Sequence, residues 1–112
     1  MFSTHIENGT CFANAGAELT IYSAAEDAVQ LRQVIQAHPN IVFNLSAVEE
    51  IDTAGLQLLM QAKRTIEANG HRPRFASASP AIQEIVQLLK LHDFFIFEDH
   101  VNVEQSLPEA TP

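Results

Sequence analysis

Apolar residues in this chain fall into two alternating patterns: short dense runs and longer stretches with helical spacing. Ile6 and Thr10-Cys11-Phe12-Ala13 flank Asn8-Gly9, a dipeptide suited to a tight hairpin turn, and predict an opening pair of antiparallel strands. Leu19-Thr20-Ile21-Tyr22 is β-branched and aromatic and reads as a strand. Ser23-Ala24-Ala25-Glu26 follows at once and has the form of a capping box. The helix it opens carries Val29, Leu31, Val34, Ile35 and Ala37 as its apolar face and ends at His38-Pro39-Asn40. Ile41-Val42-Phe43-Asn44-Leu45 is nearly continuous in apolar residues, the pattern of a strand covered on both faces.

After a loop from Ser46 to Asp52, a second helix is predicted from about Thr53 to Asn69. Gly55, Leu58, Leu59, Ala62 and Ile66 form its buried face, and Asn69-Gly70 its C-terminal stop. Lys63 and Arg64 suit the negative end of its dipole. Arg74-Phe75-Ala76-Ser77 predicts another strand. Ser79-Pro80 opens a third helix with Ile82, Ile85, Val86 and Leu89 on one stripe and Lys90 near its end. Phe94-Phe95-Ile96-Phe97 reads as a last edge strand. Asn102 with Gln105 predicts a final helical turn through Leu107, and residues 108–112 a frayed tail. Strands separated by helices need crossover connections. The expected class is therefore α/β: one domain over residues 1–107, with a mixed, mostly parallel sheet of about four or five strands and about three or four helices.

Composition narrows what such a domain does. The chain has 112 residues, 46% of them hydrophobic, enough for one core. Its 14 acidic and 6 basic residues give a net charge of −8, which disfavours nucleic acid and anionic membrane as partners. The single cysteine, Cys11, rules out an intramolecular disulfide and a Cys-rich zinc site, and reads as a small apolar residue. No apolar run approaches the roughly 20 residues that span a bilayer, so no direct membrane insertion is expected. The segment Met1 to Glu7 lacks the basic and apolar regions of a secretory signal, and the expected compartment is the cytoplasm. The five histidines show no i, i+4 ligand spacing; His92-Asp93 and Asp99-His100 are the weak metal candidate. No Gly-rich phosphate loop and no nucleophile–base pair can be assembled. The expectation is a protein that is not an enzyme and carries no metal or cofactor. Lys63, Arg64, Arg72 and Arg74 gather four of the basic residues, either as a minor docking patch or as a solvated helix end and loop.

Three segments together resemble a STAS domain, the domain of anti-sigma factor antagonists and of sulfate-transporter tails. They are Leu19 to Ala25, Ile41 to Leu59 with its strand–loop–Asp52-Thr53-Ala54-Gly55-Leu56–helix element, and Ser77 to Ile82. The resemblance spans roughly residues 10–107. It implies a binding module without chemistry of its own. Such antagonists bind a kinase-type anti-sigma factor around this loop and helix, and phosphorylation of a Ser or Thr just before the Gly releases them. That position is Ala54 here, so the remaining hydroxyl, Thr53, becomes the phosphorylation candidate. The Asp-Thr-Ala-Gly form is similar to two branches. One holds stand-alone STAS proteins of chemotaxis-type signalling clusters. The other is the accessory subunit that docks on the ATPase of a phospholipid ABC transporter.

Physically, Asp52 suits the N-cap of the second helix, and Gly55 permits close approach to the sheet or to a partner. Those roles need no function, yet a cap also presents the Thr53 hydroxyl at an exposed helix mouth. Phosphorylation there would add about −1.5 to −2 charges next to Glu49, Glu50 and Asp52, and would act by repelling or blocking a partner. The resemblance thus implies a contact surface of Glu49, Glu50, Asp52, Thr53, Ala54 and Gly55, continued along the helix by Gln57, Met60 and Arg64. Met60 suits either an exposed anchor or the core.

Overall fold

A computed structural model describes residues 1–98. Strands β1 (Phe2–Glu7) and β2 (Thr10–Ala15) form the antiparallel hairpin. Asn8 and Gly9 both take positive φ, 52° and 80°, as a two-residue turn matched to strand twist requires. β4 (Ile41–Asn44), β6 (Arg74–Ala76) and β7 (Phe97–Glu98) add parallel strands in the order β1-β2-β4-β6-β7. Helices α1 (Ala24–Ala37), α2 (Thr53–Ala68) and α3 (Pro80–Leu88) alternate with them. Two further segments, β3 (Glu18–Leu19) and β5 (Glu50–Ile51), pair with each other in a small parallel ladder outside the main sheet. The predicted helical turn at Asn102 to Leu107 and the tail at 108–112 lie outside the described residues.

The main core joins Cys11, Ala13, Ile41, Phe43 and Phe75 from the sheet to Leu31, Leu59, Ala62, Ile66 and Ile82 from the helices. Phe12, Val42 and Ala76 cluster separately on the other face, so β4 has buried side chains on both faces, as its continuous apolar run predicts. Ring contacts run along the core: Phe43 stacks on Phe75 at 5.1 Å, and Phe95 meets Phe75 edge-on at 5.2 Å.

Several predicted details change. The Leu19–Tyr22 strand is cut to Glu18–Leu19, because Thr20 to Ser23 turn away under their own hydrogen bonds; Ser23 N–H and Ala24 N–H both donate to the Thr20 carbonyl, at 3.0 and 2.9 Å. Ser23 is the N-cap of α1 but makes no side-chain cap bond. Its hydroxyl accepts from Thr20 N–H at 3.3 Å instead. On α1, Val29 and Ala37 face solvent, while Leu31 and Ile35 are buried and Val34 partly so. Asp27, an acid, is fully buried on the same face and pairs with the Met1 ammonium at 2.8 Å. On α2, Leu56 is buried and Leu58 only partly so. Lys63 and Arg64 fall short of its last turn. The stop at its end matches the prediction: Gly70 takes φ 84° beside the C-cap Asn69. Ser79 caps α3 by accepting from Ile82 N–H at 3.2 Å, with Pro80 as first helical residue. Leu89 lies past the end of α3 and is exposed. The Phe94–Phe97 run contributes only Phe97 to a strand, since Phe94 lies in a turn, Phe95 follows it, and both pack on the core.

Candidate functional site

The small β3–β5 ladder and the start of α2 form one structure where the chain leaves β4. Glu49 N–H and Glu50 N–H both donate to the Ala17 carbonyl, at 2.8 and 3.0 Å, and Asp52 N–H donates to the Leu19 carbonyl at 3.2 Å. Two segments some thirty residues apart in the chain are thus zipped together just before the helix.

Asp52 is the N-cap, with extended backbone. Its Oδ1 accepts from Gly55 N–H at 3.0 Å, the local cap bond. Its Oδ2 accepts from Ile21 N–H, also at 3.0 Å, which ties the helix mouth to the turn after β3. Amide donors favour the charged form, so the Ile21 and Gly55 N–H groups hold the Asp52 carboxyl below the usual carboxylate range. A group lowered in the folded state adds stability above its unfolded pKa, and that stability is lost as pH falls through the folded value. Replacing Asp52 with Asn should therefore lower the thermal midpoint at neutral pH. The gap to wild type should hold from neutral pH down to about 5 and close only as pH falls below about 4, through the lowered pKa of the folded state; a gap that stays constant in acid would contradict the carboxylate's role.

Gly55 explains the close seating of α2. A Cβ at this position would lie 2.0 Å from the Leu19 carbonyl oxygen. Thr53 is the first helical residue and is exposed; Ala54 is half-buried. From Thr53 an exposed stripe runs down the helix through Gln57 and Gln61 to Arg64. Met60 turns away from this stripe and packs partly against the core. Arg64 lies 11 positions beyond Thr53, about 16 Å along the helix axis, and its guanidinium lies over the Phe94 ring at 5.6 Å. The geometry thus gathers Glu49, Glu50, Asp52, Thr53, Ala54 and Gly55, with Gln57 one turn on, and leaves Met60 and Arg64 apart from them.

The sequence pattern assigns Ile21 and Tyr22 to a strand, whereas in the structure both lie in a turn and the Ile21 amide is bonded to this mouth. A signal was present: a strand reaching Tyr22 would leave no residue to turn before the Ser23 cap.

The other candidates find internal partners. Lys63 pairs with Glu67 at 2.7 Å and lies over the Phe94 ring, and Arg74 forms a two-point bond to Glu98, at 2.9 and 3.2 Å. Cys11 is buried on β2, and desolvation raises its thiol pKa, which disfavours a nucleophile. Among the described residues no group of three or more His, Cys, Asp or Glu could hold a metal ion; Asp99 and His100 lie outside them. No helix among the described residues is long and apolar enough to cross a membrane.

The family model for the STAS domain matches residues 2–110. The chain belongs to the STAS domain family. Solved structures share the architecture at low identity. A Thermotoga maritima protein described as a candidate anti-sigma factor antagonist is 19% identical, with a TM-score of 0.80 over 96% of this chain and 92% of its own. An anti-sigma factor antagonist from Mycobacterium paratuberculosis is 18% identical, with a TM-score of 0.78 over 96% and 90%. The phosphorylated form of the Bacillus cell fate determinant SpoIIAA is 18% identical, with a TM-score of 0.70 over 96% of each chain. No curated protein sequence matches at a significant level. In this STAS domain, the Asp52-Thr53-Ala54-Gly55-Leu56 element lies at the start of α2.

Proposed function

We propose that this STAS domain is a non-enzymatic regulatory module of the cytoplasm that binds a kinase-type anti-sigma factor or a chemotaxis-type signalling protein. The contact surface is the mouth of α2, with Glu49, Glu50, Thr53 and Gln57 facing the partner and Asp52, Ala54 and Gly55 shaping the backbone beneath. One observation carries the reading: Thr53 is exposed at the first position of a helix whose start is clamped by Asp52 from both sides. A hydroxyl on so fixed a backbone suits both docking and phosphoryl transfer, since a kinase must hold its acceptor oxygen in line with the nucleotide.

The switch follows from placement. Thr53 is at the centre of the contact, where water is excluded and an added charge must be desolvated.

Affinity capture with wild type, Thr53→Ala and Thr53→Glu as baits tests this. Wild type and Thr53→Ala should retain one signalling kinase, and Thr53→Glu should lose at least about tenfold in affinity for it, equivalent to about 1.4 kcal/mol. Capture of a transporter ATPase in its place would select the transporter-subunit branch. Equal retention by all three baits would remove Thr53 from the contact.

A further inference from the structure

The chain's single tyrosine is its most exposed aromatic residue. Tyr22 is 90% exposed and its neighbour Ile21 63%, whereas all seven phenylalanines are buried or half-buried. Scattered surface apolar residues need no explanation. These two are adjacent, and the Ile21 amide is bonded to the cap of α2. Their backbone is held in place: Tyr22 N–H donates to Thr20 Oγ1 at 3.2 Å, and that hydroxyl donates in turn to the Glu18 carboxylate. A turn already fixed has little backbone freedom left to lose on binding, and tyrosine combines large apolar area with a polar tip and only two side-chain torsions to order. These are the properties of an interface anchor.

The surroundings carry one sign of charge. Glu18 and Glu50 face each other in register across the β3–β5 ladder, where like charges are unfavourable. Glu49 and Asp52 flank Glu50 and Ile51. No lysine or arginine occurs between Ala15 and Leu31 or between Asn44 and Ala62, the two segments that build this region. Among the described residues none of these four carboxylates belongs to an ion pair. Asp52 and Glu18 have bonds within the fold, whereas Glu49 and Glu50 are exposed and add only like charge; a cationic partner offsets that charge.

We infer that Ile21 and Tyr22 are the apolar anchor of the α2-mouth interface, and that the partner is a protein face with an apolar pocket rimmed by lysine and arginine. This rests on the mouth being a binding surface, and it names what that surface binds. The division of labour is physical. Anchor residues, fully desolvated, set the dissociation rate, while rim carboxylates, still wet, set encounter rate and salt dependence.

The kinase or ATPase captured by the wild-type chain, identified and purified, is the probe. Because Tyr22 is the only tyrosine, 3-fluorotyrosine labelling gives one ¹⁹F resonance, which should shift when that probe binds. Tyr22→Ala should weaken binding about 30-fold or more, while Tyr22→Phe should keep it within about threefold. Removing the rim charges in Glu18→Gln/Glu49→Gln/Glu50→Gln should flatten the dependence of affinity on salt. Thermal midpoints of the variants check that each remains folded. If Thr53→Glu releases the probe while Tyr22→Ala does not and the ¹⁹F signal stays put, the anchor is overturned and the mouth stands. If Tyr22→Ala releases it while Thr53→Glu does not, the anchor stands and the role of Thr53 falls. Binding indifferent to salt overturns the basic rim. A wild-type bait that retains no signalling protein or ATPase overturns both readings.

Discussion

Gly55→Ala should destabilise the domain by about 2–3 kcal/mol, lowering the thermal midpoint by roughly 10 °C. Two effects oppose each other. Alanine is the better helix former, which alone would favour the variant by about 1 kcal/mol. Against this, the new Cβ would lie 2.0 Å from the Leu19 oxygen and 2.6 Å from its carbonyl carbon. These are backbone atoms, so no side-chain rotation relieves the overlap. The Leu19 carbonyl is also committed, because it accepts from Asp52 N–H. Either α2 or the β3 turn must move, and the clash outweighs the propensity. The displacement would also part Asp52 from the Ile21 amide and loosen the turn that carries Tyr22. Thermal and urea denaturation followed by circular dichroism read the first effect, and partner affinity the second. A Gly55→Ala variant as stable as wild type would mean that the helix does not seat on Leu19 as described.

Phe75→Ala should cost more, about 3–5 kcal/mol. Phe75 lies on β6 with its ring against Phe43, Phe95 and Phe97, at centroid distances of 5.1, 5.2 and 6.2 Å. It is 2% exposed. Truncation removes its transfer free energy and leaves a cavity walled by residues of β4, of β7 and of the segment before β7, which cannot all collapse inward. Small domains have about 5–15 kcal/mol in total, so the loss is a large fraction of the stability. With a urea slope of about 1–3 kcal/mol/M, the midpoint should fall by more than about 1 M. Phe75→Leu, which keeps most of the volume, should lose much less. A loss below about 1.5 kcal/mol for Phe75→Ala would show that the aromatic cluster relaxes around the gap. Unlike Gly55→Ala, this variant leaves the helix mouth itself intact, and any partner binding it loses should follow its loss of folded protein.

The architecture was legible in the sequence mostly where a residue's role depends on its near neighbours, the unformed capping box at Ser23 being the exception. Ser79-Pro80, Asn69-Gly70, Asn8-Gly9 and the Asp52 cap act through bonds or dihedrals within four residues, and all are found as the pattern predicts. The dense run Ile41 to Leu45 and the spaced stripe through Leu59, Ala62 and Ile66 report burial by periodicity alone, and they give the α/β class.

Legibility ended where a residue's fate depends on a distant segment. Asp27 is an acid on a helix face, and only the approach of the chain's first residue explains its burial. The β3–β5 ladder is two residues long, too short to leave a period. Ile21 and Tyr22 have strand-forming side chains, but Asp52, 31 residues from Ile21, accepts the Ile21 amide and so helps fix the turn. By itself the sequence determined the fold class, the approximate extent of the helices and the Asp52 cap of α2, because helix caps and hydrophobic periods are local. Tertiary structure alone decided that Gly55 must have no side chain and that the exposed Ile21-Tyr22 turn is tied to the Asp52 cap, because close approach and exposure depend on which segments the finished fold brings together.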